Sequence, residues 1–243
     1  MPRPIATGTG PQGRGRLVTE PWEPPALLVH PGGDRVRGAL QGSLLFEQPA
    51  HRATRDALRA FVHPSWGGGA SPRNAPRTAL EIGFDHGMRI LDHARRYPDV
   101  RWLGLEIRES RVQAAAPHAP PNCLLVRADA RTVLAAVLPD ACLDAVYILF
   151  PTPTRNPRHL LLTPTLVADL ARVMRPGGVV HLATDVEGYF RWATTCFASW
   201  PAAEGPSWYG PVLSRRERVC KRDGLPVHRG TWAAPPGVPT SPG

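Results

Sequence analysis

From Thr78 onward, short apolar runs alternate with amphipathic segments in which apolar residues recur at helical intervals. The apolar runs predict buried strands at TALEIGF (78–84), VRWLGLEI (100–107), NCLLVRA (122–128), LDAVYILF (143–150) and VVHLATD (179–185). The amphipathic segments predict helices at GMRILDHARRY (87–97), ESRVQAAA, RTVLAAVL, about Leu162 to Met174 with RPGG as its stop, and VEGYFRWATTCFASW. In the tail, PVLSRRERV reads as a final strand. Regular alternation of strand and helix implies an α/β fold, a mostly parallel sheet with helices on both faces. Such sheets bind ligands beyond the C-terminal ends of their strands, so the chemistry is to be sought there.

The first third of the chain has a different texture. Residues 1–43 and 65–76 are rich in Pro and Gly and predict loop or disorder, while HRATRDALRAFV between them has helical spacing. The expected organisation is an extension over 1–76, partly disordered with a short helix, a folded domain over 77–232 and a disordered tail over 233–243. Basic residues outnumber acidic ones 29 to 20, for a formal charge of +9, and all of them except Lys221 are arginines. That excess points to a polyanionic partner, although a compositional bias would produce it too. No stretch has the length and apolarity of a membrane span or a secretory leader, which predicts a cytosolic protein. The cysteines Cys123, Cys142, Cys196 and Cys220 are scattered, so neither a disulfide framework nor a metal site is expected.

The strand ends carry a pattern of their own. LEIGFDHG places Gly83 and Gly87 around a strand-to-helix turn, with Asp85 where a dinucleotide fold would have its second glycine. A phosphate would meet Asp85 and be repelled; a cationic ligand would not. Glu106 ends the second strand, where this architecture places an acid that accepts ribose hydroxyls. Asp129 ends the third, within reach of an adenine amino group. With Glu81, these acids and glycines on successive strands predict an adenosine-bearing cationic cofactor, S-adenosyl-L-methionine.

LEIGF with Gly87, GLEI, the spacing from Asn122 to Asp129-Ala130, FP-x-P followed by Arg158-His159, RPGG, ATDVEGY and S-x-x-E at Ser214 to Glu217 together resemble the bacterial tRNA (guanine-N7)-methyltransferases. The resemblance runs from about Leu80 to Gly224. It implies a class I methyltransferase fold, a Rossmann-like seven-stranded sheet, and formation of N7-methylguanosine in the variable loop of tRNA. It implies that Glu81, Gly83, Gly87, Glu106, Asp129 and Thr152 meet S-adenosylmethionine. It further implies that Asn156, Arg158, His159, Asp185, Ser214, Arg215, Arg216 and Glu217 meet the substrate, with tRNA as partner, no metal and a monomeric chain.

One segment departs from the family. FPTPTRNPRH stops a strand with three prolines, which cannot continue a ladder and fix φ, so its side chains are held stiffly. In the family the loop reads Phe-Pro-Asp-Pro-Trp and then a lysine; here Thr152 stands at the position of the catalytic aspartate, Thr154 at the tryptophan and Asn156 at the lysine. Guanine N7 bears a lone pair and no proton, so its methylation needs alignment more than a general base. The expectation is therefore a slower enzyme, with a catalytically impaired cofactor- or RNA-binding paralogue, or an enzyme for another acceptor, as alternatives. Asp185 is also placed to cap a helix, Tyr189 reads first as a packing residue, and Arg155, Arg218, Lys221 and Arg222 are further phosphate-contact candidates.

Overall fold

A computed structural model describes residues 49–63, 77–156, 159–204 and 213–236. The Pro/Gly-rich stretches 1–43 and 65–76, Arg158 and the last seven residues of the tail lie outside the described residues.

The elements in chain order are α1 (Pro49–Val62), β1 (Thr78–Ile82), α2 (Met88–Arg96), β2 (Arg101–Glu106), α3 (Glu109–Ala115), β3 (Cys123–Arg127), α4 (Ala130–Ala136), β4 (Leu143–Leu149), α5 (Pro164–Val173), β5 (Met174–Thr184), α6 (Glu187–Cys196), α7 (Arg215–Asp223) and β6 (His228–Ala233). The strands form one sheet in the order β3-β2-β1-β4-β5-β6. The first five are parallel, and β6 runs antiparallel to β5 with His228 opposite Thr184. All five parallel strands therefore end on one rim, and β6 starts there.

Strand residues alternate between two cores. Leu80, Ile82, Leu103, Leu105, Val146, Ile148, Val180 and Leu182 face one side, with Leu58 and Val62 of α1, Val133 and Leu134 of α4, Leu170 of α5 and Tyr189 of α6. Ala79, Trp102, Tyr147 and Ala183 face the other, with Ile90 and Leu91 of α2 and Ala115 of α3. The helix read from HRATRDALRAFV thus contributes to the main core through Leu58, Phe61 and Val62, and Arg101 at the foot of β2 donates to the Phe61 and His63 carbonyls at 2.9 and 2.6 Å.

Three expectations are corrected. Six strands, not seven, are present among the described residues: beside β6, Ala202 makes only a single antiparallel bridge to Trp232, and residues 205–212 lie outside the described residues. The segment read as a final strand is helical from Arg215, because the Ser214 hydroxyl accepts from the Glu217 N–H at 3.2 Å and Gly224, at φ 65°, closes the other end. RPGG does not lie outside the sheet as a helix stop. It is a bulged stretch of β5, where Leu143 pairs with Met174 and Ala145 with Val179, and Arg175 anchors it on Asp144 with contacts of 2.9 and 2.8 Å.

Candidate active site

The rim begins at the turn after β1. Gly83 and Gly87 both have φ 75°, the left-handed region that glycine enters without strain, and a Cβ on Gly83 would meet nothing within 4 Å. Asp85 between them also has a positive φ, 52°. The turn thus presents bare backbone at Gly83 and a carboxylate beside it.

Glu106 ends β2 and is buried. It accepts backbone N–H groups from both sides, Arg108 on Oε1 at 3.0 Å and Asp85 on Oε2 at 3.2 Å, which ties the glycine turn to the second strand. The Arg111 guanidinium, one turn into α3, lies 2.8 Å from Asp85 and 3.5 Å from Glu106. Ile107 follows with 65% of its surface exposed. Sequence reasoning passed over this residue; its signal was an apolar side chain immediately after an acid at a strand end.

Asp129 caps α4, accepting from the Arg131 N–H at 2.9 Å, and its Oδ2 also takes the Arg131 Nη2 at 2.6 Å. Burial pushes this carboxyl up, but the Arg131 contacts outweigh it and hold the group below the ordinary carboxylate range. Asp129 stays ionised and fixed.

Glu81 differs from these two. It sits in the middle layer under the glycine turn, enclosed, with Oε2 2.8 Å from Nη1 of the equally enclosed Arg89 on α2. Burial holds the Glu81 carboxyl above its ordinary range, and Arg89 offsets only part of that rise. The Arg89 guanidinium also lies 4.0 Å over the Tyr147 ring, which stacks on His181 at 5.0 Å. Glu81 therefore differs from Glu106 in its partner, an arginine enclosed as fully as itself, whereas Arg111 beside Glu106 is partly exposed.

At the end of β4, Phe150 has φ 52° while its N–H bonds the Ala183 carbonyl at 2.7 Å. That strained residue turns the chain sharply into Pro151 and across the end of β5. Thr152 is exposed beyond it. The Thr154 hydroxyl accepts from the Asn156 N–H at 3.1 Å, and the Asn156 carbonyl accepts from His159 at 3.0 Å, so the loop is braced by its own groups. Arg155, Asn156 and His159 are exposed on it.

The end of β5 meets α7. Asp185 does not cap α6; the Thr184 hydroxyl accepts from the Val186 N–H at 3.2 Å instead. That leaves the Asp185 carboxylate for Arg216, whose Nε and Nη2 both donate to Oδ2, the former at 3.1 Å. The Glu217 carboxylate is buried and pairs with Arg229 of β6. Arg215 donates to His86 Nε2 at 3.0 Å, joining α7 to the glycine turn. Arg218, Lys221 and Arg222 lie exposed on the same helix, where Arg222 pairs with Asp223. A cavity of about 370 Å³ opens among Leu213, Glu217, Lys221, Leu225, Val227 and Arg229. Tyr189 is a packing residue, fully buried with its hydroxyl 3.4 Å from the Leu162 nitrogen, and burial raises that hydroxyl's pKa.

Gly83, Glu106, Asp129, Thr152 and Asp185 therefore stand on one rim, with Ser214 to Glu217 brought to it by α7. Each of the five acids expected to meet a ligand is held by an arginine of this chain: Glu81 by Arg89, Glu106 by Arg111, Asp129 by Arg131, Asp185 by Arg216 and Glu217 by Arg229. Among the described residues, no group of three or more His, Cys, Asp or Glu side chains could hold a metal ion, and no helix is long and apolar enough to cross a membrane.

Comparison with known proteins adds an independent line. A family model described as "Putative methyltransferase" matches residues 75–208. A tRNA (guanine-N(7)-)-methyltransferase of Cupriavidus pinatubonensis is 35% identical over 231 residues, 88% of this chain and 89% of that one. Another, from Caulobacter vibrioides, is 42% identical over 122 residues, 47% of this chain, and the match spans only 54% of that relative's length. Among solved structures, the 16S rRNA methyltransferase KamB matches with a TM-score of 0.49 at 18% identity, over 78% of this chain and 94% of that chain.

Proposed function

The chain belongs to the tRNA (guanine-N(7)-)-methyltransferase family, and we propose that it transfers a methyl group from S-adenosylmethionine to N7 of a guanine in tRNA. The observation that carries this reading is the convergence of Gly83, Glu106 and Asp129 on one rim with Asp185 and α7. The residues fit the cofactor. Gly83 leaves space over the turn, Glu106 is fixed to accept ribose hydroxyls, Asp129 to accept the adenine amino group, and Ile107 offers an apolar face for the base. Asp85 beside the turn disfavours a pyrophosphate and suits a sulfonium.

Bound there, S-adenosylmethionine supplies an electrophilic methyl group. The protein's own part is alignment. N7 carries no proton, so no general base is required; Asp185 and Glu217 can accept the adjacent N1–H and 2-amino donors of guanine and so turn N7 toward the methyl. The stiff loop after Phe150 closes the reacting centre, where Thr152 offers a hydroxyl and no charge. Arg155, Asn156 and His159 of the loop, with Arg215, Arg218, Lys221 and Arg222 of α7, are exposed and available to the RNA backbone. The active unit is a monomer and the setting cytoplasmic, as for an enzyme that meets free tRNA.

Purified protein, labelled cofactor and unmodified tRNA should yield N7-methylguanosine, and Thr152→Asp should raise the rate, by up to about 10² to 10³ if one electrostatic group is what the loop lacks. The uncharged Thr152 favours a second reading, a cofactor- and RNA-binding protein without turnover. In that case both proteins bind the cofactor and neither transfers a methyl group.

A further inference from the structure

The two acids proposed to read guanine are already occupied by arginine, and the occupancy is lopsided. The side chains of Asp185 and Glu217 are 16% and 7% exposed, whereas those of Arg216 and Arg229 are 41% and 49% exposed. In each pair the acid is fixed inside and the arginine reaches it from solvent. The acid cannot leave; the arginine can.

The chemistry of the occupants matches as well. The guanine edge carries N1–H and the 2-amino group on one carbon, which is itself a guanidine fragment. Arg216 places the same fragment on Asp185, with Nε and Nη2 both donating to Oδ2. We propose that Arg216 and Arg229 are exchange residues: each mimics the guanine edge on its acid in the free protein, and each is displaced by the base and turns to a phosphate beside it. The proposal rests on the reading of Asp185 and Glu217 as guanine acceptors and deepens it, because it makes the substrate a guanine flanked by phosphates and disfavours free guanosine. A nucleoside would break two charge-assisted pairs and offer Arg216 and Arg229 no phosphate in exchange, beside the exposed cations Arg218 and Lys221. A polynucleotide gives them new partners.

The test uses the full chain with S-adenosylhomocysteine bound, titrated with guanosine and, separately, with an unmodified tRNA transcript. Arg216→Met and Arg229→Gln should each bind guanosine about three- to tenfold more tightly, the range for losing a partly exposed charged competitor. Each should bind the transcript more weakly, with the slope of log K against log salt reduced by roughly 0.7 to 0.9. Arg216→Lys keeps the charge but loses the fork, so it should tighten guanosine and spare the salt slope. Unchanged S-adenosylhomocysteine affinity reports that each variant is folded. Opposite effects on the two ligands are what a purely structural arginine could not produce. Parallel weakening of both, or no change in either, overturns the exchange. If Asp185→Asn and Glu217→Gln also leave both ligands unaffected, the guanine reading itself fails; if those acid variants lose guanosine while the arginine variants do not gain it, only the exchange fails.

Discussion

Arg89 donates from Nη1 to Glu81 Oε2 at 2.8 Å, and both side chains are 4% exposed. No other acid–arginine pair of the site is closed on both sides. Removing one partner strands a buried charge, whereas removing both leaves a repackable space. Arg89→Met should therefore cost about 3 to 5 kcal/mol of unfolding free energy. Adding Glu81→Gln to it should recover a large part of that loss. Urea denaturation of the two single variants and the double variant checks this, and additive losses would show the two residues to be energetically independent.

The same buried layer sets a pH dependence. His181, buried between the Tyr147 ring and Thr231 and near Arg89, has its pKa lowered to about 4, by burial first and by the Arg89 charge second. The unfolded chain takes up the imidazole proton near its ordinary value while the folded chain resists it. Stability from this residue is thus complete above about pH 6.5 and lost as the pH falls toward 4, by roughly 3 kcal/mol across the window. Thermal or urea unfolding of wild type and His181→Gln at pH 7.5 and 5 should show the wild type losing more stability on acidification. Equal losses would mean that His181 does not titrate in this way.

The alternation of apolar runs and helical segments was enough to predict where the five parallel strands lie, because each is built mainly of buried apolar residues around a few polar ones such as Glu81, Arg101 and Glu106. The placing of Glu106 and Asp129 at strand ends was legible for a similar reason, since each closes an apolar run in the sequence. The tail was misread on the apolar residues Val212, Leu213 and Val219 at the ends of the segment, although Ser214, Glu217 and Gly224 carried the cap and stop of a helix. RPGG was misread because its glycine and proline mark a turn locally, while the grip of Arg175 on Asp144 is a contact across 31 residues that no local pattern reveals. Most informative is the arginine excess. Composition suggested a surface for phosphates, yet five of those arginines are held on the five site acids; the Asp129–Arg131 and Glu106–Arg111 pairs are local in sequence, whereas the Asp185–Arg216 pair spans 31 residues and exists only once the fold is assembled.

Arg111 should act as a competitor of the cofactor. Its guanidinium stands 2.8 Å from Asp85 and 3.5 Å from Glu106, the acid proposed to accept ribose hydroxyls. Arg111→Met should tighten S-adenosylhomocysteine binding by about two- to fivefold, the range expected for a partly exposed ion pair, and the gain should shrink at high salt, where the wild-type pair is already weakened. Calorimetry at low and high ionic strength measures both effects. Weaker binding in the variant would instead make Arg111 part of the cofactor's own contact set.

Gly83 offers the sharpest separation of ligand space from backbone strain, because the chain supplies its own control. Gly83 and Gly177 have φ 75° and 76°, and a Cβ on either would meet nothing within 4 Å. An alanine at each position must therefore bear the same left-handed penalty, about 1 to 2 kcal/mol of stability, with no clash inside the protein. The two glycines differ in what lies over them. Gly177 belongs to the bulge at the start of β5, on the rim opposite the site, while Gly83 lies at the end of β1 against Glu106. Both variants should lose comparable stability in denaturant, and only Gly83→Ala should also lose S-adenosylhomocysteine affinity, by about tenfold or more, equivalent to roughly 1.4 kcal/mol of binding free energy. Equal cofactor affinity in the two variants would place the cofactor away from this turn, and with it the methyl group away from Asp185.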